Sequence, residues 1–136
     1  LKDNIVAQIK EKNIEDKVTV LAPIRNIETA YKQADVFVLS SLFEGMPNVM
    51  LEALYFGLPV VSYDCPSGPR EILTEDFLGA LLGQLNKDAF ARSIREQISS
   101  NSSDKARKRH NHIKANYNLD STAKRYKKAA LSHEEN

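Results

Sequence analysis

The sequence has 136 residues, of which 42% are hydrophobic and 27% are charged, and its formal net charge is +1 at pH 7. These proportions are typical of one globular domain or of part of a larger one, and no apolar run approaches the roughly 18 residues that would indicate a membrane span. The single cysteine, Cys65, excludes an internal disulfide and is typical of a reducing compartment such as the cytoplasm. Because the chain begins at Leu1, inside a predicted helix, we expect it to be a fragment of a longer polypeptide.

The hydrophobic pattern predicts short strands that alternate with helices. In chain order the predicted elements are helix 2–13, strand 17–22, helix 27–34 with Asn26 as its N-cap, strand 35–40, helix 47–56, strand 59–64, helix 68–73, strand 79–82 and the C-terminal helices 87–98, 103–115 and 119–132. Such an alternation favours an α/β, Rossmann-like fold, in which helices cover both faces of a parallel sheet. Ligands of these sheets bind beyond the carboxyl ends of the strands, which are the loops after Leu39 and Tyr63.

The charge is distributed unevenly along the chain. Residues 1–103 contain 10 Lys/Arg and 14 Asp/Glu, whereas residues 104–136 contain 9 Lys/Arg and 4 Asp/Glu. A basic segment of this kind is typical of binding to nucleic acid or to an anionic membrane surface, but also of the solvated faces of terminal helices. We favour solvated helices, keep docking on an anionic membrane as a hypothesis, and predict no nucleic-acid partner.

The helix over 47–56 has the features of an anion-binding site at its start. Pro47 suits the first helical position, and Gly57 suits the position just after the end. The N–H groups of Asn48 and Val49 then lie unpaired at the positive end of the helix dipole, where a phosphate or diphosphate binds well. Four residues are expected to face the core: Val49, Met50, Ala53 and Leu54.

Two carboxylates flank this helix start. Glu44 lies in the loop before the helix, and Glu52 lies about one turn into it, on the side away from the packed face. A carboxylate can accept two hydrogen bonds, and a pair of vicinal hydroxyls can donate two. A phosphate site flanked by two carboxylates therefore suits a sugar nucleotide. The spacing alone favours a plainer alternative, in which Glu44 caps the helix and Glu52 is an exposed acid.

A long motif adds to this interpretation. The segment over 34–73, ADVFVLSSLFEGMPNVMLEALYFGLPVVSYDCPSGPREIL, resembles the donor-site segment of family 4 glycosyltransferases, which are retaining enzymes of the GT-B fold. It matches their pattern at Asp35 to Leu39, Ser41, Glu44, Gly45, Pro47, Glu52, Ala53, Gly57, Pro59 to Val61, Gly68 and Glu71. A weaker resemblance extends over essentially the whole chain. The resemblance implies that residues 1–136 are a partial nucleotide-sugar-binding domain, the C-terminal donor half, without the N-terminal acceptor domain.

The resemblance implies a role in sugar binding for four positions. Glu44 would be the catalytic position and would bind hydroxyls of the donor sugar. Gly45, Met46 and Pro47 would line the same sugar, the first two through their backbone N–H groups, since proline has none.

The resemblance also implies roles in binding the nucleotide. The amides of Asn48 and Val49 would hold the diphosphate, and Glu52 would hold the ribose hydroxyls. Ile24 and Arg25 would lie near the base.

The resemblance implies neither a metal nor a cofactor, because helix amides and Arg or Lys side chains balance the charge of the leaving diphosphate. The family's Arg/Lys pair would lie before Leu1, so we expect this chain alone to be inactive. His110 and His112 have no cysteine partner and are expected to be solvated rather than metal ligands.

The implied activity of the parent enzyme is transfer of a sugar from a nucleotide-sugar, expected to be a UDP-sugar, to a saccharide or lipid-linked acceptor with retention of configuration. The setting would be bacterial cell-surface polysaccharide synthesis, in the cytoplasm or at the cytoplasmic face of the membrane. A GT-B sugar-nucleotide isomerase and a non-catalytic interaction module remain alternatives.

Other residues are expected to have structural roles. Arg70 is interpreted as a surface or ion-paired arginine, and Glu71 as a capping residue three positions after Gly68. Cys65 lacks a base that would make it a nucleophile. Tyr117 and Tyr126 are expected to be packing residues.

Overall fold

From α2 to α5, helices and strands alternate along the chain as predicted. The computed structural model describes residues 2–23, 26–83 and 85–118. Its elements are helix α1 (Lys2–Glu11), helix α2 (Glu28–Gln33), strand β1 (Phe37–Leu39), helix α3 (Asn48–Tyr55), strand β2 (Val60–Tyr63), helix α4 (Pro69–Ile72), strand β3 (Gly79–Leu82), helix α5 (Lys87–Ser99) and helix α6 (Ser103–Asn116). No helix in these ranges is long and apolar enough to cross a membrane.

The three strands form a parallel sheet in the order β1-β2-β3. Leu39 pairs with Ser62 and Tyr63 pairs with Leu82, so the three carboxyl ends lie at one edge. Parallel neighbours require crossover connections, which contain α3 between β1 and β2 and α4 between β2 and β3. The prediction of an α/β fold with a Rossmann-like parallel sheet is confirmed.

Helices cover both faces of the central strand. Successive residues of a strand point to opposite faces, and both Val60 and Val61 of β2 have no exposed surface. On one face, Met50, Ala53 and Leu54 of α3 are fully buried against the sheet. Burial of each large aliphatic side chain stabilises the fold by about 1.5–3 kcal/mol. This packing fixes α3 relative to the carboxyl edge of the sheet.

The carboxyl end of α3 is held by its own turn and by α6. Gly57 has a φ of +83°, and the amides of Gly57 and Leu58 donate to the carbonyls of Leu54 and Ala53, each over 3.0 Å. The expected glycine stop is therefore confirmed. In addition, the guanidinium of Arg109, which is only 1% exposed, donates to the Gly57 carbonyl over 2.8 Å.

The described part of the basic segment, residues 104–118, is packed more closely than its charge suggested. Arg109 also donates to the Phe77 carbonyl over 2.8 Å and to the Asn101 side chain. Burial lowers the pKa of Arg109 from its ordinary value. His110 and His112 are half-buried, so the prediction that they are solvated is wrong: Nδ1 of His110 lies 2.6 Å from the Tyr55 carbonyl oxygen, and the His112 ring meets Phe77 edge-on.

The predicted strand over 17–22 is wrong. The segment forms no strand, the Lys17 amide closes a turn on the Ile14 carbonyl, and Val18 and Leu21 remain exposed. Its β-branched composition favours extended backbone, but a strand also needs a neighbour to pair with. The predicted helix 119–132 and Tyr126 lie outside the described residues.

Two expectations at the start of α3 are corrected. Pro47 is the residue before the helix rather than its first residue. Val49 is 41% exposed, because it lies at the edge of the buried face rather than within it. The N-cap of α2 is Ile27 and not Asn26, although the Asn26 side-chain oxygen does accept from the Glu28 amide over 3.2 Å.

Candidate functional site

The two loops that follow β1 and β2 meet at the carboxyl edge of the sheet. The hydroxyl of Ser67 donates to the backbone carbonyl of Glu44 over 2.6 Å. Parallel strands bring such loops together, and this is the edge at which α/β sheets bind ligands. The contact therefore fixes the backbone of Glu44, whose side chain is partly exposed.

Gly68 allows the loop after β2 to approach the loop after β1 closely. Its φ is +91°, and a Cβ at this position would lie 2.0 Å from the Gly45 carbonyl oxygen and 2.6 Å from Cδ of Pro47. Only glycine combines that backbone conformation with that proximity. Beyond Gly68, the short helix α4 begins at Pro69, and the Glu71 carboxylate accepts from the Gly68 amide over 3.3 Å, as predicted.

The amino end of α3 is open to solvent. Asn48 and Val49 are its first two residues and both are exposed. N–H groups at these positions have no acceptor within the helix, and they lie at its positive end. The Met50 amide, by contrast, donates to the Pro47 carbonyl over 2.9 Å. The open end has the hydrogen-bonding character that a diphosphate requires.

Glu52 is exposed on the same side of α3 as Asn48, four residues earlier. Its Oε2 atom accepts a hydrogen bond from the hydroxyl of Tyr31 over 3.0 Å, and that hydroxyl also lies 3.4 Å from the Val49 carbonyl oxygen. Burial raises the pKa of Tyr31 most, and the hydrogen bond to Glu52 and the negative charge of Glu52 raise it further, to about 12. Sequence reasoning did not find Tyr31, because the two residues are 21 positions apart on different helices.

The remaining predicted site residues fall into two groups. Gly45 and Met46 lie in the loop between Glu44 and α3; Met46 is 50% exposed, and no atom lies within 4 Å of where a Gly45 side chain would begin. Ile24 and Arg25 lie outside the described residues, so their proximity to a base stays a prediction.

A pocket of about 320 Å³ lies beside the loop that carries Glu44. Its lining comes from the last residue of β2 and from the segments after all three strands: Ser41, Leu42, Phe43, Tyr63, Asp64, Cys65, Pro66 and Leu85. Most of this lining is apolar, and Phe43 is 80% exposed at its rim. Asp64 is paired with Arg70, as expected for an ion-paired arginine. The predicted strand ends pointed to the loops after Leu39 and Tyr63, but nothing in the sequence indicated Leu85.

In the part of the chain that the structure describes, no group of three His, Cys, Asp or Glu side chains is placed to hold a metal ion. The absence of a metal requirement stays a prediction, since it concerns the complete site with its substrate.

The sequence matches a known protein family over most of its length. The sequence profile of the family named glycosyl transferases group 1 matches residues 1–119. The chain belongs to this family. The glycosyltransferase part of the resemblance is thereby confirmed for nearly the whole chain, including the segment that carries Glu44 and Glu52.

Several similar proteins are bacterial glycosyltransferases by name. The chain is 28% identical to the amylovoran biosynthesis glycosyltransferase AmsD of Erwinia amylovora over 73% of its own length and 28% of that protein. It is 34% identical to the N-acetylgalactosamine-N,N'-diacetylbacillosaminyl-diphospho-undecaprenol 4-alpha-N-acetylgalactosaminyltransferase of Campylobacter jejuni, over 79% of its own length and 29% of that protein. It is 35% identical to the lipopolysaccharide 1,6-galactosyltransferase of Salmonella typhimurium, over 57% of its own length and 22% of that protein. The chain thus spans less than a third of each relative.

Proposed function

We propose that this chain is the donor-binding part of a retaining, family 4 glycosyltransferase of the GT-B fold. The complete enzyme takes a sugar from a nucleotide-sugar, a UDP-sugar, and transfers it to a saccharide or lipid-linked acceptor. Residues 1–136 contribute the nucleotide-sugar half, and the acceptor half belongs to other parts of the enzyme. The observation that carries the proposal is the open amino end of α3 between two carboxylates, at the ligand-binding edge of a parallel sheet.

The diphosphate binds at the start of α3. The amides of Asn48 and Val49 donate to its oxygens, and the positive end of the helix favours the charge that grows as the diphosphate leaves. A hydrogen bond to a charged group contributes about 1.5–3 kcal/mol. These amides belong to the rigid backbone of a packed helix, so they need no reorganisation during the reaction.

The sugar binds in the loop between β1 and α3. Glu44 is the catalytic position, because its carboxylate binds sugar hydroxyls beside the carbon that reacts. Gly45, Met46 and Pro47 line the sugar. The contacts of Ser67 and Gly68 with this loop support the assignment, since a sugar site must hold its backbone in one conformation.

The ribose binds to Glu52. The carboxylate lies one turn beyond Asn48 on the exposed side of α3, so a nucleotide whose diphosphate meets the first amides can extend its ribose toward it. Vicinal hydroxyls donate two hydrogen bonds to one carboxylate. Ile24 and Arg25 are proposed to lie near the base.

The acceptor class is supported by the names of the relatives. One is named for an undecaprenol-linked acceptor and another for lipopolysaccharide, so we assign bacterial cell-surface polysaccharide synthesis at the cytoplasmic face of the membrane. Exposed Lys108 and Lys114 of α6 would approach anionic lipid there, whereas Arg107 is paired with Asp104 and Arg109 is buried. Co-sedimentation with vesicles tests this assignment, and equal binding to neutral and anionic vesicles would contradict it.

The proposed function is tested by titrating the chain with nucleoside mono- and diphosphates and following its backbone amides by NMR. We expect UDP to shift the amide signals of residues 44–52, apart from Pro47, and UMP to shift them much less, because the helix end recognises the diphosphate. A sugar-nucleotide isomerase would bind UDP in the same way, and the sequence of the complete enzyme separates the two. If no diphosphate shifts these amides, the proposal that this chain holds the diphosphate site is wrong, and the alternative of a non-catalytic module is favoured.

A further inference from the structure

Tyr31 is held rigidly between three elements. Its side chain is only 6% exposed, and its ring stacks on Phe56 at 5.5 Å between ring centres, with an angle of 18° between the planes. On another side it meets Phe37 of β1 at 6.2 Å. Because α2, β1 and the end of α3 enclose the ring, its hydroxyl has a fixed position.

The fixed hydroxyl reaches the exposed side of α3. It donates to Oε2 of Glu52 over 3.0 Å, and its distance to the Val49 carbonyl oxygen is longer, at 3.4 Å. A hydroxyl has a single proton, and a carboxylate is the stronger acceptor of the two. Oε2 is therefore oriented by Tyr31 and keeps one lone pair free, while Oε1 can use both of its lone pairs.

An exposed glutamate is normally free to change rotamer, and a ligand that binds it must restrict that freedom. Glu52 is exposed, yet one of its oxygens is attached to a buried ring. Its carboxylate is thus oriented before any ligand arrives. The Tyr31 hydroxyl is a hydrogen-bond donor in the neutral range, because even the ordinary tyrosine pKa of 10.0 lies well above it, and burial beside Glu52 raises the pKa further, to about 12.

We propose that Tyr31 is a positioning residue for ribose recognition, which orients Glu52 so that the site favours nucleotides that carry both vicinal ribose hydroxyls. The inference rests on the proposed function, because it takes Glu52 as the ribose ligand. Tyr31 itself touches no substrate. It acts through the orientation of one carboxylate, so its effect is confined to ligands that use that carboxylate.

The test compares UDP with 2′,3′-dideoxy-UDP, which has the same base and diphosphate but no vicinal hydroxyls. In Tyr31→Phe, which removes one oxygen and keeps the ring, we expect affinity for UDP to fall about threefold to tenfold. Affinity for the dideoxy ligand should stay unchanged. In a Glu52→Ala background, Tyr31→Phe should have no further effect on UDP, because the carboxylate that it orients is gone.

Tyr117→Phe is the matched control. It removes another tyrosine hydroxyl, one that donates to the Glu71 carbonyl over 3.2 Å, and should leave both affinities unchanged. Equal losses for both ligands in Tyr31→Phe would indicate a merely structural role and overturn the inference, as would unchanged binding of UDP. Failure of the unmodified chain to bind either diphosphate would instead contradict the proposed function, so the two failures are distinguishable.

Discussion

The Ser67 hydroxyl donates to the Glu44 carbonyl over 2.6 Å and so ties the loop after β2 to the loop after β1. The two residues are 23 positions apart and belong to different crossover connections of the sheet. One hydrogen bond of this kind contributes about 0.5–1.5 kcal/mol. This hydrogen bond matters for the site because of where it lies: it holds the backbone of Glu44, the residue proposed to contact the reacting sugar.

Substitution of Gly68 should disturb this junction more strongly. Gly68→Ala places a Cβ 2.0 Å from a backbone oxygen at a φ of +91°, so we expect the free energy of unfolding to fall by about 1–3 kcal/mol or more. The amide signals of residues 44–46 should shift as well. Urea unfolding and NMR measure the two effects. Gly83→Ala is the control, since nothing lies within 4 Å of its added Cβ. Equal stability of the two variants would contradict the prediction.

Glu44 and Glu52 should bind different parts of the nucleotide-sugar. Glu52→Ala removes the proposed ribose ligand, so we expect affinity for UDP itself to fall about tenfold or more. Glu44→Ala should spare UDP and weaken discrimination among UDP-sugars, because its carboxylate binds only the sugar. Isothermal calorimetry measures both. Glu96→Ala, which removes an exposed glutamate from α5, should change neither affinity. Equal losses for UDP and UDP-sugars in both variants would disprove this division.

Arg109 should be essential for stability rather than for chemistry. Arg109→Ala leaves the carbonyls of Gly57 and Phe77 and the Asn101 side chain without their donor, so we expect a loss of about 3 kcal/mol or more in the free energy of unfolding. Arg107→Ala removes an exposed guanidinium that is paired with Asp104 and should change the same quantity by less than about 1 kcal/mol. Urea titration compares them. Similar small losses would mean that the buried guanidinium is dispensable.

Tyr31 should make the protein less stable at alkaline pH. Its folded pKa of about 12 exceeds the ordinary value of 10.0, so folding favours the protonated phenol. This contribution is complete below pH 10.0 and is lost as pH rises through about 12. The free energy of unfolding should therefore fall more steeply over this range in the unmodified chain than in Tyr31→Phe. Tyr117→Phe serves as the comparison, and parallel curves for the unmodified chain and Tyr31→Phe would refute the prediction.

Binding of UDP should not depend on a metal ion. The proposed site meets the diphosphate with the amides of Asn48 and Val49 and the positive end of α3, so EDTA should leave the dissociation constant unchanged. Calorimetry with and without EDTA measures this. Loss of binding in EDTA that Mg²⁺ or Mn²⁺ restores would show that the diphosphate needs a cation that these amides do not replace.

The parallel sheet and α3 could be predicted because their signals are local. Continuous apolar runs around β1 and β2 indicate strands buried on both faces, and Gly57 followed by Pro59 marks the end of a helix. The roles of Glu44 and Glu52 could also be predicted from the order of residues along the chain, because the start of a helix lies between them.

What could not be predicted depends on how elements dock. The contact between Tyr31 and Glu52 exists only because α2 packs beside α3, and no spacing rule encodes that. Arg109 looked like one of many solvated cations, because composition does not reveal that two carbonyls and an amide oxygen surround it. The segment 17–22 has strand propensity, but pairing is a property of neighbours and not of the segment itself.

The eight residues Asn48–Tyr55 have no acid in their first turn and no base in their last, so this helix cannot neutralise its own poles. At the carboxyl pole the neighbouring α6 supplies the positive charge of Arg109, whose guanidinium donates to the Gly57 carbonyl. The amino pole has no such partner on α6 and faces solvent. An anion bound there would balance the positive end of the helix. Because such a ligand binds the folded state, it stabilises the domain, and saturating UDP should raise the melting temperature.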